Sequence, residues 1–183
     1  FARALVLNPQ NTRALFNSAR ACMRVKKHHD ARTYYERIVR SPYRQIAPEI
    51  VLAALAEVHI READFTTAKE LLAQAHDLNS REPSVYLVRA FLYEELEQYE
   101  EAVSSYLTYW EYRKMVPDYN KKGLLFLRAG MYHRAAEAFM CAVRMNPHDA
   151  GAWFNAGYAY ALMNEHVTAQ QCYSRAIEYD PAF

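Results

Sequence analysis

Trp153, Ala156, Gly157 and Tyr160 lie at positions i, i+3, i+4 and i+7, and Ala169, Tyr173 and Ala176 take up the same spacing shortly afterwards. Residues 150–181 are therefore predicted to form two amphipathic helices, each burying one face. Gly157 and Ala169 are small enough to let two antiparallel backbones approach, with Trp153, Tyr160 and Tyr173 filling the space around them. Asp180-Pro181 ends the second helix, because the residue before a proline avoids the helical region. The stretch encodes a helical hairpin.

Earlier parts of the chain repeat this pattern. Leu15, Ala19 and Cys22 pair with Ala31, Tyr35 and Ile38. Leu52, Leu55, Ala56 and His59 pair with Phe65, Ala68, Leu72 and Ala75. Tyr86, Ala90 and Tyr93 precede Tyr99, Ala102, Tyr106 and Tyr109, and Tyr119, Gly123 and Phe126 precede Tyr132, Ala135, Phe139 and Ala142. Ala19, Ala56, Ala90, Gly123 and Gly157 each stand twelve residues before Ala31, Ala68, Ala102, Ala135 and Ala169, which recur at intervals of 37, 34, 33 and 34. The expected organisation is a single array: the second half of a truncated repeat over 1–11, then repeats over 12–48, 49–82, 83–115, 116–149 and 150–183. The first full repeat ends in a longer loop with two prolines, and Pro48 suits the first turn of the next helix, where a missing N–H costs nothing. Tyr109-Trp110-Glu111-Tyr112 extends its helix with aromatics, some of them expected to face outward.

This unit resembles the tetratricopeptide repeat, a helix-turn-helix of about 34 residues, and the resemblance covers essentially the whole sequence. It implies an all-α fold of about eleven helices, stacked as antiparallel pairs into a right-handed superhelical solenoid. It also implies a protein- or peptide-binding role, with first helices lining a concave groove. The groove-facing positions are then Arg13, Phe16, Asn17, Arg20 and Arg24 in the repeat over 12–48, and Ile50, Ala53, Ala54, Glu57 and Arg61 in the next. Ser84, Leu87, Val88, Phe91 and Glu95 follow, then Pro117, Asn120, Lys121, Leu124 and Arg128, then Gly151, Phe154, Asn155, Tyr158 and Leu162. Several first helices are thus apolar on two faces. Packing between repeats and a ligand-binding groove both account for that.

One branch of the family clamps a C-terminal carboxylate with Lys, Asn and Arg at set positions. Asn17 and Asn155 match its middle Asn. Ile50 and Ala54, and likewise Asn120 and Leu124, depart from the rest, so no such clamp is expected.

Charge sharpens the picture. Residues 1–48 carry ten Lys/Arg against two acidic residues, a net +8, while the remainder carries twelve against nineteen, a net −7. Arg13, Arg20 and Arg24 share a helix face, and their guanidinium groups suit an acidic partner segment. A nucleic-acid partner is disfavoured, because no aromatic stacking platform accompanies the basic stretch.

His28 and His29 sit together in a solvated turn, the other five histidines are scattered, and the three cysteines (Cys22, Cys141, Cys172) have no metal-ligand spacing. No catalytic set, metal or cofactor is expected. His59 reads as a core histidine, and the odd number of thiols suits a reducing, cytoplasmic compartment. No apolar run is long enough to insert in a membrane. The sequence opens inside a repeat, so a fragment of a longer protein is expected. The sequence alone thus points to a non-catalytic scaffold or adaptor. Self-association through the ends or the Tyr109–Tyr112 aromatics, and recruitment of substrate for a larger enzyme, are the other readings.

Overall fold

The computed structural model describes residues 5, 8–42, 45–114 and 117–182; the expected half-repeat over 1–11 falls largely outside them. Among the described residues there are ten helices: α1 Thr12–Arg24, α2 His28–Arg40, α3 Pro48–Arg61, α4 Phe65–Leu78, α5 Pro83–Glu95, α6 Tyr99–Arg113, α7 Tyr119–Arg128, α8 Tyr132–Met145, α9 Ala150–Leu162 and α10 His166–Tyr179. They form two compact units, residues 1–97 with 105–113, and residues 98–104 with 114–183.

Local chemistry sets the helix ends. Asn11, Asp64, Asp118 and Asp149 each accept the backbone N–H three residues on, at 3.0 to 3.2 Å, opening α1, α4, α7 and α9. Each such cap stabilises by about 1 kcal/mol. Side-chain and backbone hydrogen bonds from Thr67 hold the Asp64 carboxyl below the usual carboxylate range. Pro48 and Pro83 open α3 and α5, and α10 stops at Tyr179, just before Asp180-Pro181.

The hairpin turns share a feature the sequence does not announce. Lys26, Ala63, Glu97, Gly130 and Asn164 all have positive φ, between 56° and 71°, and each lies five residues before the repeat alanine. The chain closes four of these turns with a bond from the next residue's N–H back to the helix, Lys27 to Cys22, Asp64 to His59, Met131 to Phe126 and Glu165 to Tyr160. A left-handed residue is what this closure requires, and glycine occupies only one of the five positions. For an L-residue that conformation costs about 1 to 2 kcal/mol, partly offset by the smaller entropy it loses on folding. Ala63→Gly and Lys26→Gly should therefore each stabilise by about 0.5 kcal/mol, read as a higher urea midpoint at unchanged slope.

In the first unit two apolar clusters share α3. Val51, Leu55 and Val58 pack with Leu15, Ala19, Ala31, Tyr35 and Ile38 of α1 and α2. Leu52, Ala53, Ala56 and Ile60 pack with residues of α4 and α5, among them Ala68, Leu72 and Val88. A helix flanked on two sides must be apolar on two sides, which accounts for the composition of α3. Arg32 of α2 donates to Glu62 beyond α3 at 2.8 Å, tying the hairpins at their turn ends.

On the aromatic extension of α6, Tyr109, Trp110 and Tyr112 are half-buried and keep part of their surface outward. Trp110 stacks on Tyr106 at 5.6 Å and Tyr112 meets Tyr86 edge-on at 5.4 Å, because those rings lie within reach along the same unit.

In the second unit, Ala142, Val143 and Ala152 form a buried cluster against Tyr119, Met140 and Trp153. Every member of the small-residue column, in both units, is buried. A β-carbon on Gly123 would meet the Phe139 ring at 2.5 Å, and one on Gly157 would lie 2.8 Å from the Tyr173 ring and 3.1 Å from the Ala169 carbonyl oxygen.

Candidate functional site

Each unit presents its first helices differently. In the first unit α1 exposes Arg13, Arg20 and Arg24, and none of the three pairs with a carboxylate among the described residues. Asn17 is half-buried. Phe16 is half-buried too, its ring edge-on to Tyr35 at 5.5 Å. Phe91 meets Tyr106 in the same manner at 6.1 Å.

Between α1 and α5, helix α3 carries Ala53 and Ala54 where its neighbours carry Phe16 with Asn17 and Leu87 with Val88. The shorter side chains leave a groove of about 450 Å³, floored by the alanines and Ile50 and walled by Phe16 and Leu87. Arg20, Glu57 and Arg113 line it as well. So does Tyr35, which is only 2% exposed. Burial pushes the Tyr35 phenol far above its usual value; Glu57 adds to the rise and Arg20 opposes it. The hydroxyl is therefore a neutral donor at any physiological pH, and it makes no hydrogen bond to another described residue.

In the second unit the first helices present an apolar stripe. Phe154, Tyr158 and Leu162 stand at successive i+4 steps along α9 and are 42%, 48% and 37% exposed. On α7, Leu124 is 45% exposed, and Lys121 and Arg128 lie three before and four after it, both exposed. Asn155 is half-buried. The opposite face of α9 is closed by Ala152, Ala156 and Ala159, all fully buried. The Phe154 ring tilts toward Tyr173 at 5.5 Å, and burial raises the Tyr173 phenol, with Tyr158 and Cys172 adding to it.

Other reactive groups have structural employment. His59 Nδ1 lies 3.0 Å from Asp64 Oδ2, as a satisfied, partly buried histidine. The three cysteines are free, and burial raises the thiols of Cys22 and Cys172. Among the described residues no group of three His, Cys, Asp or Glu is placed to hold a metal ion, and no helix is long and apolar enough to cross a membrane.

A family model described as the C-terminal ARM domain of tetratricopeptide repeat protein 21 matches residues 1–118, and a tetratricopeptide repeat model matches 120–182. The chain belongs to the tetratricopeptide repeat family. Superkiller protein 3 of Schizosaccharomyces pombe is 39% identical over 59 residues, 32% of this chain and 4% of that protein; the chain thus spans a small part of its relative. Among solved structures, YrrB, described as a TPR protein with an unusual peptide-binding site, superposes with a TM-score of 0.72 at 19% identity, covering 99% of this chain and 92% of its own. MamA from Desulfovibrio magneticus RS-1 gives a TM-score of 0.72 at 16% identity, over 93% and 96%. At these identities the superpositions establish the repeat fold.

Of the expected residues, Arg13, Arg20, Arg24, Leu124, Arg128, Phe154 and Tyr158 are exposed, whereas Phe16, Asn17, Leu87, Phe91 and Asn155 are half-buried. Five contributors to the first groove escaped the sequence, Tyr35, Glu82, Pro83, Tyr109 and Arg113. Tyr35 reads as core, and it also lines the groove. Arg113 stands at the end of a second helix, outside the first-helix register. The Ala53-Ala54 pair, flanked in neighbouring repeats by bulkier residues, is the sequence signal of the notch.

Proposed function

We propose that the chain is a non-catalytic interaction scaffold, and that it captures segments of a partner protein on the exposed faces of its first helices. The observation that carries this is the α9 stripe. Phe154, Tyr158 and Leu162 present large apolar side chains to solvent on a helix whose opposite face is already filled by alanines. Such a continuous patch marks an interaction surface. The arginines of α1 supply the complementary feature in the first unit, where charge would orient an acidic segment and speed its encounter. The peptide-binding site ascribed to YrrB, a member of the same fold, supports the reading. Assembly through Tyr109–Tyr112 has less surface available, since Trp110 and Tyr112 pack in part against Tyr106 and Tyr86.

The test compares the wild-type chain with a variant carrying Arg20→Glu and Tyr158→Ala, both exposed positions. Partner proteins retained from a lysate of the source organism are identified by mass spectrometry, and their affinity is then measured with each form. A partner bound at least about tenfold more weakly by the variant is expected, since aromatic and arginine anchors dominate such interfaces. Affinities within about twofold of each other would move the binding surface off these faces.

A further inference from the structure

Resting on the reading of the first-helix faces as binding surfaces, the geometry points to a subsite in the first unit whose charge is opposite to that of α1. The pocket between the last turns of α3 and α5 receives an arginine side chain of the partner segment.

The lining sets the sign. Glu57, Ile60 and Arg61 of α3 and Phe91, Glu94 and Glu95 of α5 enclose about 220 Å³. Three carboxylates therefore share this space with one guanidinium. Arg61 does not neutralise them: among the described residues it forms no ion pair, and neither do Glu57 and Glu95. Glu94 accepts from the Tyr106 hydroxyl at 2.5 Å, a neutral donor that leaves the negative charge in place. The field of Glu57 also reaches the Tyr35 phenol, where it outweighs that of Arg20.

The backbone adds to the same sign. Both helices end at this pocket, α3 at Arg61 and α5 at Glu95, and the carbonyl end of a helix attracts cations and repels anions. Glu94 and Glu95 stand in the last turn of α5 with no basic residue among them, an arrangement the helix itself disfavours. A cation bound between the two ends relieves that repulsion.

The apolar part of the lining selects the kind of cation. Ile60 is buried and Phe91 half-buried, so one wall is an aliphatic chain with an aromatic ring. A guanidinium stacks on such a ring and pairs with two carboxylates at once, whereas an ammonium acts as a compact, strongly hydrated charge. Arginine is the complementary occupant. A segment running from α1 to this pocket then carries its acidic residues over Arg13, Arg20 and Arg24 and its arginine over Glu57 and Glu95.

The probes are short acetylated and amidated peptides with one arginine between two leucines, and matched peptides with citrulline, lysine or glutamate in its place. Citrulline keeps the shape of arginine and removes its charge. Their affinities for the full 183-residue chain are measured by NMR titration of its backbone amides. Expected is binding of the arginine peptide about tenfold tighter than the citrulline peptide, with lysine between them and glutamate weakest. The amide shifts should centre on residues 57–61 and 91–95.

Glu57→Gln combined with Glu95→Gln should abolish the preference for arginine over citrulline and leave the citrulline affinity unchanged, a pattern that a general loss of structure would not produce. Arg61→Gln removes the like charge and should tighten the arginine peptide about threefold. Melting curves establish that both variants are folded. No binding of the arginine peptide, equal affinity for arginine and citrulline, a preference untouched by the double variant, or weaker arginine binding by Arg61→Gln would each overturn the subsite. Tyr158→Ala should leave the preference intact, so failure of this subsite and failure of the α9 surface are read separately.

Discussion

Phe139→Ala should unfold the second unit far more readily than any change on its binding face. Phe139 is fully buried on α8, with its ring seated over Gly123 of α7. Removing it takes away the transfer free energy of the ring and leaves a cavity that the surrounding alanine-rich helices cannot close, a loss of about 3 to 5 kcal/mol. Total stabilities are on the order of 5 to 15 kcal/mol, so the melting temperature should fall on the order of 10 °C. Phe154→Ala, the same substitution at a residue 42% exposed, should cost about 1 kcal/mol or less. Urea melts of the two variants provide the comparison. Near-equal losses would mean that Phe154 belongs to the core and its stripe is no surface.

The same site supplies an internal check on the cause. Gly123→Ala places a β-carbon 2.5 Å from the Phe139 ring, and overpacking of this kind costs about 1 to 3 kcal/mol. In the Phe139→Ala background the obstacle is gone, and alanine's better helix propensity, about 1 kcal/mol, should make the change favourable. Opposite signs in the two backgrounds identify the close approach as the reason for glycine.

Gly157→Leu is the second large effect. At this position a β-carbon meets both the Tyr173 ring, at 2.8 Å, and the carbonyl oxygen of Ala169, at 3.1 Å. The ring of half-buried Tyr173 can swing aside, whereas the carbonyl belongs to the α10 backbone and moves only if the helices part. Gly157→Ala should accordingly lie near neutrality, because strain and helix propensity are each about 1 kcal/mol and oppose one another. Leucine adds bulk with nowhere to go and should cost about 3 kcal/mol. Equilibrium unfolding in urea measures both; a leucine variant as stable as wild type would mean that α9 and α10 do not need the close contact.

Much of this fold is legible because it depends on residue size. Ala19, Ala56, Ala90, Gly123 and Gly157 are small for a steric reason, and Pro48 and Asp180-Pro181 delimit helices for a backbone reason. The left-handed turn position is different. Only Gly130 and Asn164 hint at it, since a single αL residue costs little enough for Lys26, Ala63 and Glu97 to occupy it. The candidate site divides along similar lines. Helical phase alone exposes Arg13, Arg20 and Arg24, and Phe154 with Tyr158. Tyr35 hides because a tyrosine is apolar over most of its length and polar at its tip, so a core position and a groove position can be one residue. For Trp110 and Tyr112 the pattern cannot register that the Tyr106 and Tyr86 rings are there to receive them.

Within each unit, the helix pairs in substantial contact lie one or two places apart in chain order. Wiring this local has a kinetic consequence: little loop entropy must be lost before contacts form, and low-contact-order helical proteins fold in microseconds to milliseconds. Any hairpin can act as a starting point and its neighbours zip onto it. During synthesis the hairpin of α1 and α2 has its partner residues in hand, and α3 docks as it emerges, so the notch over Ala53 and Ala54 needs only α5 and the end of α6 for its completion.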